Sequence, residues 1–482
     1  MMRKEVERGR MAGNRKLICY ELNEVPWRVV DKYVRAHPGG SFEYLLGKSE
    51  CYTSNTIDGG ELHPWTTWPT VHRGVANQQH RITSLNQDLA EADHWPPVWQ
   101  LLSDAGVDVG ICGSLQSYPP TTGEGIQFFI PDTFAAGPET VPERYSAFQK
   151  LNLMQTRANT ATASRIGGKD VGTALGILRS GIRPSTGLKV AKHLLNERRD
   201  ANFKKRRALL QPELGLDIFV DAMKRYQPSF ATFFSNHVAG MMHRYWKYSF
   251  PEDFDYTLKE NTVDQFHSQS VMVAMRQAEE HIDRLLKLRE SHGYDLLICS
   301  SMGQAAILRD EYIPELKVVD FERLARTLKI DYNVKHNMAM HPDIALEFET
   351  REDLEHLQTV LFRLRDSSGS TLFSAPYAPK GLTLNLRTSR SAHIANDGII
   401  MDGDRHFTST ELGLESFERD IGTGYHVPEG IVIWHRDNCA EHEPREMIDS
   451  RQILPSILQY YDVERPEYLM PSIWESSGSA IA

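Results

Sequence analysis

The sequence lacks long apolar runs, paired cysteines and the apolar core of a signal peptide. A membrane-spanning helix needs about 20 consecutive apolar residues, and no stretch of the 482 residues approaches that length. Residues 1–16 are highly charged, unlike a secretory signal, and Met11 is an alternative start. The five cysteines have no C-x-x-C spacing and are Cys19, Cys51, Cys112, Cys299 and Cys439. We therefore expect a protein of the reducing cytoplasm, with a flexible segment at 1–15 and no membrane span.

An excess of basic charge is also lacking. Lysine and arginine number 54 against 64 acidic residues, a formal net charge of -10. Affinity for nucleic acids comes largely from basic surface, so the composition predicts no nucleic-acid partner. The one dense basic run, residues 204–207, is interpreted as a solvated helix face.

Short, nearly continuous apolar runs recur along the chain and alternate with helical patterns. Such runs are typical of parallel strands covered on both faces. They lie at residues 17–22, 107–112, 230–234, 295–299 and 430–434. Helices are predicted to begin at Pro97 and Ile453, and a longer one has its apolar face between Val271 and Leu285. This alternation predicts an α/β fold with a mostly parallel central sheet and helices on both faces.

Two segments depart from the alternation. Residues 120–225 are less regular and are interpreted as an insertion or cap over the sheet edge. Residues 310–415 combine alternating strands with a helix that Thr350 caps, and they predict a small α+β insertion or cap. The α/β core would then comprise residues 16–309, completed by residues 416–482.

The stretch from Glu61 to Val75 holds two histidines, three threonines and two prolines in fifteen residues. Pro64 and Pro69 predict an irregular loop rather than a helix, and the Trp68-Pro69 pair favours extended geometry before it. A hydroxyl presented on such a loop is typical of a nucleophile, which makes Thr67 the candidate. The alternative is a proline-rich loop with aromatic packing.

Polar side chains follow several predicted strands. Asn23 follows the first strand, Asn236 and His237 follow residues 230–234, and Ser301 follows residues 295–299. Ligands of open α/β sheets gather at the carboxyl ends of the strands, so these residues predict a site at that edge.

The order of these motifs resembles the alkaline phosphatase superfamily, specifically its type I phosphodiesterase/nucleotide pyrophosphatase branch. The segments that carry the resemblance are Thr67-Trp68-Pro69, Val98 to Gly113 with Tyr118-Pro119-Pro120, His243-Arg244-Tyr245-Trp246, Ser300-Ser301-Met302-Gly303 and Tyr425-His426-Val427-Pro428. The resemblance implies an α/β/α sandwich with cap insertions and ester chemistry on phosphate or sulfate. It also implies a threonine nucleophile and divalent metal ions.

Several metal-ligand positions of that family are changed here. Asn23 stands where the family has an aspartate, and Glu21 lies two residues earlier on the same strand face. Ser301-Met302 replaces an aspartate-histidine pair, and methionine is a poor ligand for such ions. No aspartate precedes His243 by four residues, although Asn236 and His237 are close. The candidate ligands are therefore Glu21, Asn23, His237, His243 and His426.

Loss of carboxylates predicts one divalent ion rather than two. Two ions about 4 Å apart need anionic ligands to offset their charge, whereas about three protein ligands hold one zinc-type ion. The side nearest His243 and His426 is the predicted site for zinc, manganese or iron. His243 could instead pack beside its aromatic neighbours. Without a second ion, Thr67 needs a general base, for which His63 and His72 are candidates unless they are structural.

Asn236, Arg244 and Ser301 are the predicted substrate contacts, since guanidinium pairs well with phosphate or sulfate. A surface salt bridge is the alternative for Arg244. Two hypotheses follow. The chain is a hydrolase or transferase of a small phosphate or sulfate ester, or it is an inactive relative that binds a phosphorylated ligand or a partner protein.

Overall fold

The computed structural model describes residues 15–85, 87, 89–90, 92–158, 181–307, 315–331, 333–337, 344–375, 379, 381–388, 399–417, 423–437 and 444–477. The chain divides into two compact units, residues 1–152, 170–307 and 422–482, and residues 153–169 and 308–421. The second unit thus combines residues 308–421 with residues 153–169, and the division of the chain at 310 and 415 stays a prediction. The predictions for residues 1–14 and for Cys439 fall outside the described residues.

The strands of the described residues are, in chain order, β1 (Leu17–Leu22), β2 (Glu50–Asn55), β3 (Val109–Cys112), β4 (Ile126–Ile130), β5 (Phe230–Ser235), β6 (Asp295–Cys299), β7 (Gly303–Ala306), β8 (Glu315–Val318), β9 (Val334–Asn337), β10 (Ile344–Phe348), β11 (Phe373–Ser374), β12 (Thr383–Thr388), β13 (Ile399–Asp402), β14 (Arg405–Thr408), β15 (Leu414–Phe417), β16 (Gly424–Val427), β17 (Glu429–His435) and β18 (Met447–Asp449).

The α-helices are Trp27–Ala36, Ser41–Leu46, Pro64–Arg73, Asn77–His80, Val98–Asp104, Ser146–Ala158, Pro184–Arg199, Leu210–Tyr226, His237–Ser249, Thr262–Ser268, Ser270–His292, Phe321–Leu328, Arg351–Arg363, Ile453–Tyr460 and Ile473–Ser477. Short 3-10 helices are Ala92–His94, Glu143–Tyr145, Ala201–Leu209, Pro251–Phe254 and Ser450–Gln452. Within the described residues, no helix has both the length and the apolarity that crossing a bilayer requires.

The first unit is built on an eight-stranded sheet with the order β18-β2-β17-β6-β1-β5-β3-β4. Neighbouring strands are parallel except at β17, which is antiparallel to both β2 and β6. The predicted mostly parallel α/β sheet is therefore confirmed. All six residues of β1 are buried. Ile18 and Tyr20 face one apolar core and Cys19 faces the other, so helices cover both faces of the sheet.

Parts of residues 120–225 belong to this core, contrary to their interpretation as an insertion. The apolar strand β4 pairs in parallel with β3 at the sheet edge. In the helix Leu210–Tyr226, Phe219 stacks on Phe233 of β5 with ring centroids 5.2 Å apart. Strand β2 was not predicted from the sequence, because the alternating polar residues of this strand give no continuous apolar run.

The second unit contains a four-stranded antiparallel sheet with the order β11-β12-β10-β9. Thr350 caps the helix Arg351–Arg363 by accepting a hydrogen bond from the Asp353 amide, as predicted. Leu354, Leu357 and Leu361 of that helix are buried in the core of this unit.

Candidate functional site

Polar groups converge at one edge of the central sheet. The neighbouring strands β5, β1 and β6 run in parallel, so Asn236, Asn23 and Ser300 follow them at the same edge. Because β17 is antiparallel to β6, its first residues lie at this edge as well, directly after His426 on β16. The strand topology therefore brings residues from distant parts of the chain together, as the sequence predicted.

The centre of the site is Glu24, a residue that the sequence analysis did not select. Its φ of 61° is uncommon for a residue other than glycine, and its side chain is only 2% exposed. The carboxylate Oε2 lies 3.0 Å from Nε2 of His243 and 3.4 Å from Nε2 of His426. Asn23 donates to Oε1 at 2.8 Å, and the Gln304 amide donates to Oε2. Two amides thus orient a buried carboxylate towards two imidazoles.

The electrostatics of this cluster favour ionised groups. Burial alone would raise the pKa of Glu24, but the positive charges of His426 and His243 lower it well below its usual range. Burial opposes protonation of His426, yet Glu24 raises the pKa of that imidazole above its ordinary value. The buried negative charge of Glu24 is therefore offset by its histidine neighbours.

The orientation of His243 is set from the backbone. Its Nδ1–H donates to the carbonyl of Gly424 at 2.9 Å, which turns Nε2 towards Glu24. Metal-binding histidines commonly donate their second ring nitrogen in this way. Tyr245 and Trp246 are buried in the core while His243 is partly exposed. Packing against these aromatic neighbours therefore does not account for its position.

The three donor atoms fit a divalent ion. Glu24, His243 and His426 each offer one ligand atom, and these atoms all lie within 4.8 Å of one another. Ligand atoms on a tetrahedral zinc ion, at about 2.0–2.2 Å from the metal, are about 3.3 Å apart. The observed 3.0 and 3.4 Å separations match that spacing. Nε2 of His426 also makes no hydrogen bond of ordinary geometry. Across the described residues, no other three histidine, cysteine, aspartate or glutamate side chains bring their ligand atoms within 4.8 Å of one another.

Of the five ligands predicted from the sequence, the structure brings together His243 and His426. Asn23 instead supports its neighbours: Nδ2 donates to Glu24 and to Oδ1 of Asn236 at 2.7 Å, and Oδ1 accepts from the Trp68 indole at 2.7 Å. With both ends of its amide engaged, Asn23 holds Glu24 in place rather than completing the donor group.

Glu21 pairs with His72 rather than with the donor group. Glu21 Oε1 lies 2.8 Å from Nε2 of His72, and both side chains are buried. The His72 ring also packs against Trp68 and Trp99. Since this imidazole is engaged by Glu21, it is not available as the predicted base for Thr67.

The Glu21–His72 pair is expected to stabilise the fold. Removing one member of a buried pair leaves the other without its partner and costs about 3–5 kcal/mol. We expect Glu21→Ala to lower the free energy of unfolding by about 3 kcal/mol, measured by urea denaturation, without changing metal content. The exposed Glu429→Ala is the matched control. A Glu21→Ala protein that is fully stable but loses its metal would show that Glu21 is a ligand.

His237 is the first residue of the helix His237–Ser249, and its side chain is buried in the core. Its ring centroid is 5.2 Å from that of His281, and neither ring nitrogen has a hydrogen bond of ordinary geometry. Burial, followed by the neighbouring His281, lowers the pKa of His237 well below its usual range. His237 is therefore a neutral core histidine in this structure, and the structure does not place it with His243 and His426.

This burial predicts a dependence of stability on pH. The pKa of His237 is depressed in the folded state. Above the unfolded-state pKa of about 6.5, this histidine is therefore neutral in both states, and its protonation does not affect the free energy of unfolding. Below that pH only the unfolded chain takes up the proton, so stability falls. We expect the loss of unfolding free energy between pH 8 and pH 5 to be smaller by about 2 kcal/mol in His237→Phe than in the wild type. Equal losses in urea titrations would contradict the assignment.

Thr67 lies in an α-helix, Pro64–Arg73, and not in the predicted loop. Pro64 occupies the first helical position, where its missing N–H has no cost. Pro69 lies inside the helix and cannot donate to the carbonyl of Trp65, but the side-chain amide of Gln116 lies 3.4 Å from that oxygen. A tertiary contact therefore compensates for the second proline, which the local sequence does not reveal.

The hydroxyl of Thr67 hydrogen-bonds to that of Ser301 at 2.8 Å, and both residues are fully buried. The other proposed base, His63, stacks on Trp65 and lies edge-on to His426, with ring centroids 5.8 Å apart. Within the described part of the chain, the hydroxyl of Thr67 is therefore paired with the hydroxyl of Ser301.

The predicted substrate contacts differ in access. Asn236 is exposed, and its Oδ1 accepts a hydrogen bond from Asn23. Arg244 follows His243, is exposed and makes no ion pair within the described part of the chain. Ser301 is buried against Thr67. Asn236 and Arg244 are therefore accessible to an anion, whereas Ser301 is not.

Comparison with known proteins returned structural matches only. No protein-family model and no curated protein sequence matches this chain. An inactive murine ectonucleotide pyrophosphatase/phosphodiesterase 5 in complex with AMP is 9% identical, with a TM-score of 0.42, covering 96% of this chain and 99% of that chain. Phosphonoacetate hydrolase from Sinorhizobium meliloti is 10% identical, with a TM-score of 0.41 and coverages of 94% and 96%. Alkaline phosphatase from Thermus thermophilus is 11% identical, with a TM-score of 0.42 and coverages of 95% and 94%.

These names include the superfamily and the branch that the sequence motifs resemble. With TM-scores below 0.5, the matches carry no argument about the site of this chain.

Proposed function

We propose that this chain is a hydrolase or transferase of phosphate or sulfate esters that uses one divalent metal ion held by Glu24, His243 and His426. The observation that carries the proposal is the convergence of one buried carboxylate and two imidazoles at the sheet edge. A bound divalent ion would polarise an ester oxygen and stabilise the negative charge that develops during reaction.

The residues around this group have positioning roles in the proposal. Asn23 and Gln304 fix the two oxygens of Glu24, and the Gly424 carbonyl fixes the His243 ring. Such outer contacts are worth about 10–100-fold in metal affinity or activity at known sites. Asn236 and Arg244 would bind the non-reacting oxygens of the ester, because both are accessible beside the cluster.

Thr67 remains the proposed nucleophile. Attack by its hydroxyl on the phosphorus or sulfur atom would form a covalent Thr67 ester and break the bond to the substrate's alcohol, which would leave with the Thr67 proton. Water or a second acceptor would then take the group from Thr67 and return a proton to the hydroxyl. Because Thr67 and Ser301 cover each other, the hydroxyl must first turn out of this contact. The substrate would have to bring about that change on binding.

A second candidate function is ligand binding without catalysis. It is favoured by the complete burial of Thr67 and by the neutral amide of Asn23, which is fully used within the protein. In that case the donor group and Arg244 would bind a phosphorylated ligand that is released unchanged.

Turnover measurements distinguish the ester hydrolase or transferase from the ligand-binding protein without catalysis. The protein would be loaded with zinc, manganese or iron and assayed with p-nitrophenyl phosphate, bis(p-nitrophenyl) phosphate and p-nitrophenyl sulfate. We expect metal-dependent release of p-nitrophenol that is lost in the His243→Ala, His426→Ala double variant. The control is His292→Ala, His406→Ala, which removes one half-buried and one exposed imidazole away from the donor group. Binding of inorganic phosphate without turnover of any ester would support the second candidate.

A further inference from the structure

The helix Pro184–Arg199 has an apolar outer face. Ten large hydrophobic side chains are exposed among the described residues, and three of them lie on this helix: Leu188 at 71%, Leu194 at 44% and Leu195 at 46%. The opposite face is anchored by buried Thr186 and Glu197. The leucines are therefore not needed to hold the helix on its unit.

Unpaired cations accompany these leucines. Lys192 and Arg199 are exposed and lie on the same helix face as Leu188 and Leu195. In the order Leu188, Lys192, Leu195 and Arg199, successive residues are four, three and four positions apart. Arg198 is exposed on the same helix. None of the three cations makes an ion pair within the described part of the chain. Leu188, Lys192, Leu195 and Arg199 are called the outer face below, and Leu194 and Arg198 lie beside it.

The acidic neighbour of this face is already neutralised. Glu197 pairs with Arg207 at 2.6 Å, and this partner lowers the pKa of that carboxyl below its usual range. The basic run at 204–207 is also not the uniform solvated face that the sequence predicted. Arg206 is buried with its guanidinium 3.6 Å from the Phe266 ring centre, while Lys204 remains exposed beside the helix. The outer face thus carries local positive charge on a chain whose formal net charge is -10.

We propose that the outer face docks on an anionic lipid membrane surface. A helix that combines leucines with lysine and arginine lies in the membrane interface, where the apolar side chains enter the acyl boundary. The long stems of Lys192 and Arg199 reach the headgroups while the leucines are buried. Charge complementarity with anionic headgroups supplies the remaining attraction.

Other occupants fit this surface less well. A symmetric contact with a second copy of the chain would bring Lys192, Arg198 and Arg199 against their own equivalents, and the like charges would repel. A nucleic acid would satisfy the cations through its phosphates but would leave three exposed leucines without an apolar phase. Lipid satisfies both kinds of side chain at once.

The test is flotation of the full-length protein with vesicles at about 0.1 M salt, a condition in which surface charges are only partly screened. We expect binding to vesicles of phosphatidylcholine with phosphatidylserine, weak binding to phosphatidylcholine alone, and release at high salt. Each basic residue near such a surface contributes enough for about a fivefold change in affinity. Lys192→Gln, Arg199→Gln should therefore weaken binding by roughly tenfold or more, and Leu188→Ser, Leu195→Ser should abolish detectable binding.

Matched controls use exposed residues elsewhere on the same unit. Lys224→Gln, Lys259→Gln removes two exposed charges, and Leu258→Ser, Met447→Ser removes two exposed apolar side chains. Both controls should float like the wild type. The proposal is overturned if the wild type does not bind anionic vesicles, if the controls lose binding as strongly as the outer-face variants, or if only a single-stranded oligonucleotide is bound.

Discussion

Glu24→Gln is expected to leave the fold intact and to remove ester turnover. Gln has the size of Glu, and its side-chain oxygen can still accept from Asn23, as the carboxylate does at 2.8 Å. The change nevertheless removes the one anionic donor of the group formed with His243 and His426. Loss of an outer contact to a metal ligand costs about 10–100-fold, so loss of the charged ligand should exceed about 100-fold in kcat/KM.

The matched control for this variant is Glu21→Gln. Glu21 lies on β1, just before the turn that holds Glu24, and is similarly buried, but it faces His72 and not the donor group. Its replacement should lower stability and leave the metal-dependent rate per folded molecule unchanged. Near-ultraviolet circular dichroism would verify that Glu24→Gln is folded. A folded Glu24→Gln protein with wild-type kcat/KM would remove Glu24 from the mechanism.

Thr67→Ala is expected to lower kcat by on the order of 10³-fold or more, because the covalent step would lose its nucleophile. The change also leaves the buried Ser301 hydroxyl without its partner, which should cost about 1–3 kcal/mol of stability. Thr67→Ser keeps a hydroxyl at this position and should restore part of kcat and part of the stability.

Thr70→Ala is the control that separates catalysis from packing. Thr70 is one turn further along the same helix, is also buried, and donates its hydroxyl to Asp58 at 2.7 Å. Its loss should lower stability to a similar extent without affecting kcat. If Thr67→Ala and Thr70→Ala change stability alike and neither changes kcat, the Thr67 hydroxyl is structural.

The sheet could be predicted from the sequence because its central strands are apolar on both faces. Such runs, as in β1, β5 and β6, differ from every other pattern in the chain. The edge strand β2 was missed because its residues alternate between polar and apolar. The helix around Thr67 was missed for a different reason, because Pro69 disfavours a helix locally. Pro69 leaves the carbonyl of Trp65 without its backbone donor, and the amide that reaches this oxygen belongs to Gln116, which is distant in sequence.

The candidate site was predicted in part. His243 and His426 were selected because their segments resemble the alkaline phosphatase superfamily, and the structure places both imidazoles beside Glu24. Glu24 was passed over because the resemblance directs attention to Asn23, one residue earlier. The left-handed backbone at Glu24 places its carboxylate at the two imidazoles. The roles of Asn23 and Glu24 depend on that backbone turn, which no residue pattern at this strand end indicates.

The most direct test of the metal-centred account is elemental analysis of purified protein after loading with zinc, manganese or iron and removal of excess ion. We predict about one equivalent of metal in the wild type, consistent with a site of three protein ligands. The same analysis of Glu24→Gln and of the His243→Ala, His426→Ala double variant should find almost none, while Glu21→Gln should retain the wild-type amount. Equal metal content in all four proteins, or no metal in the loaded wild type, would contradict the assignment of Glu24, His243 and His426 as a metal centre.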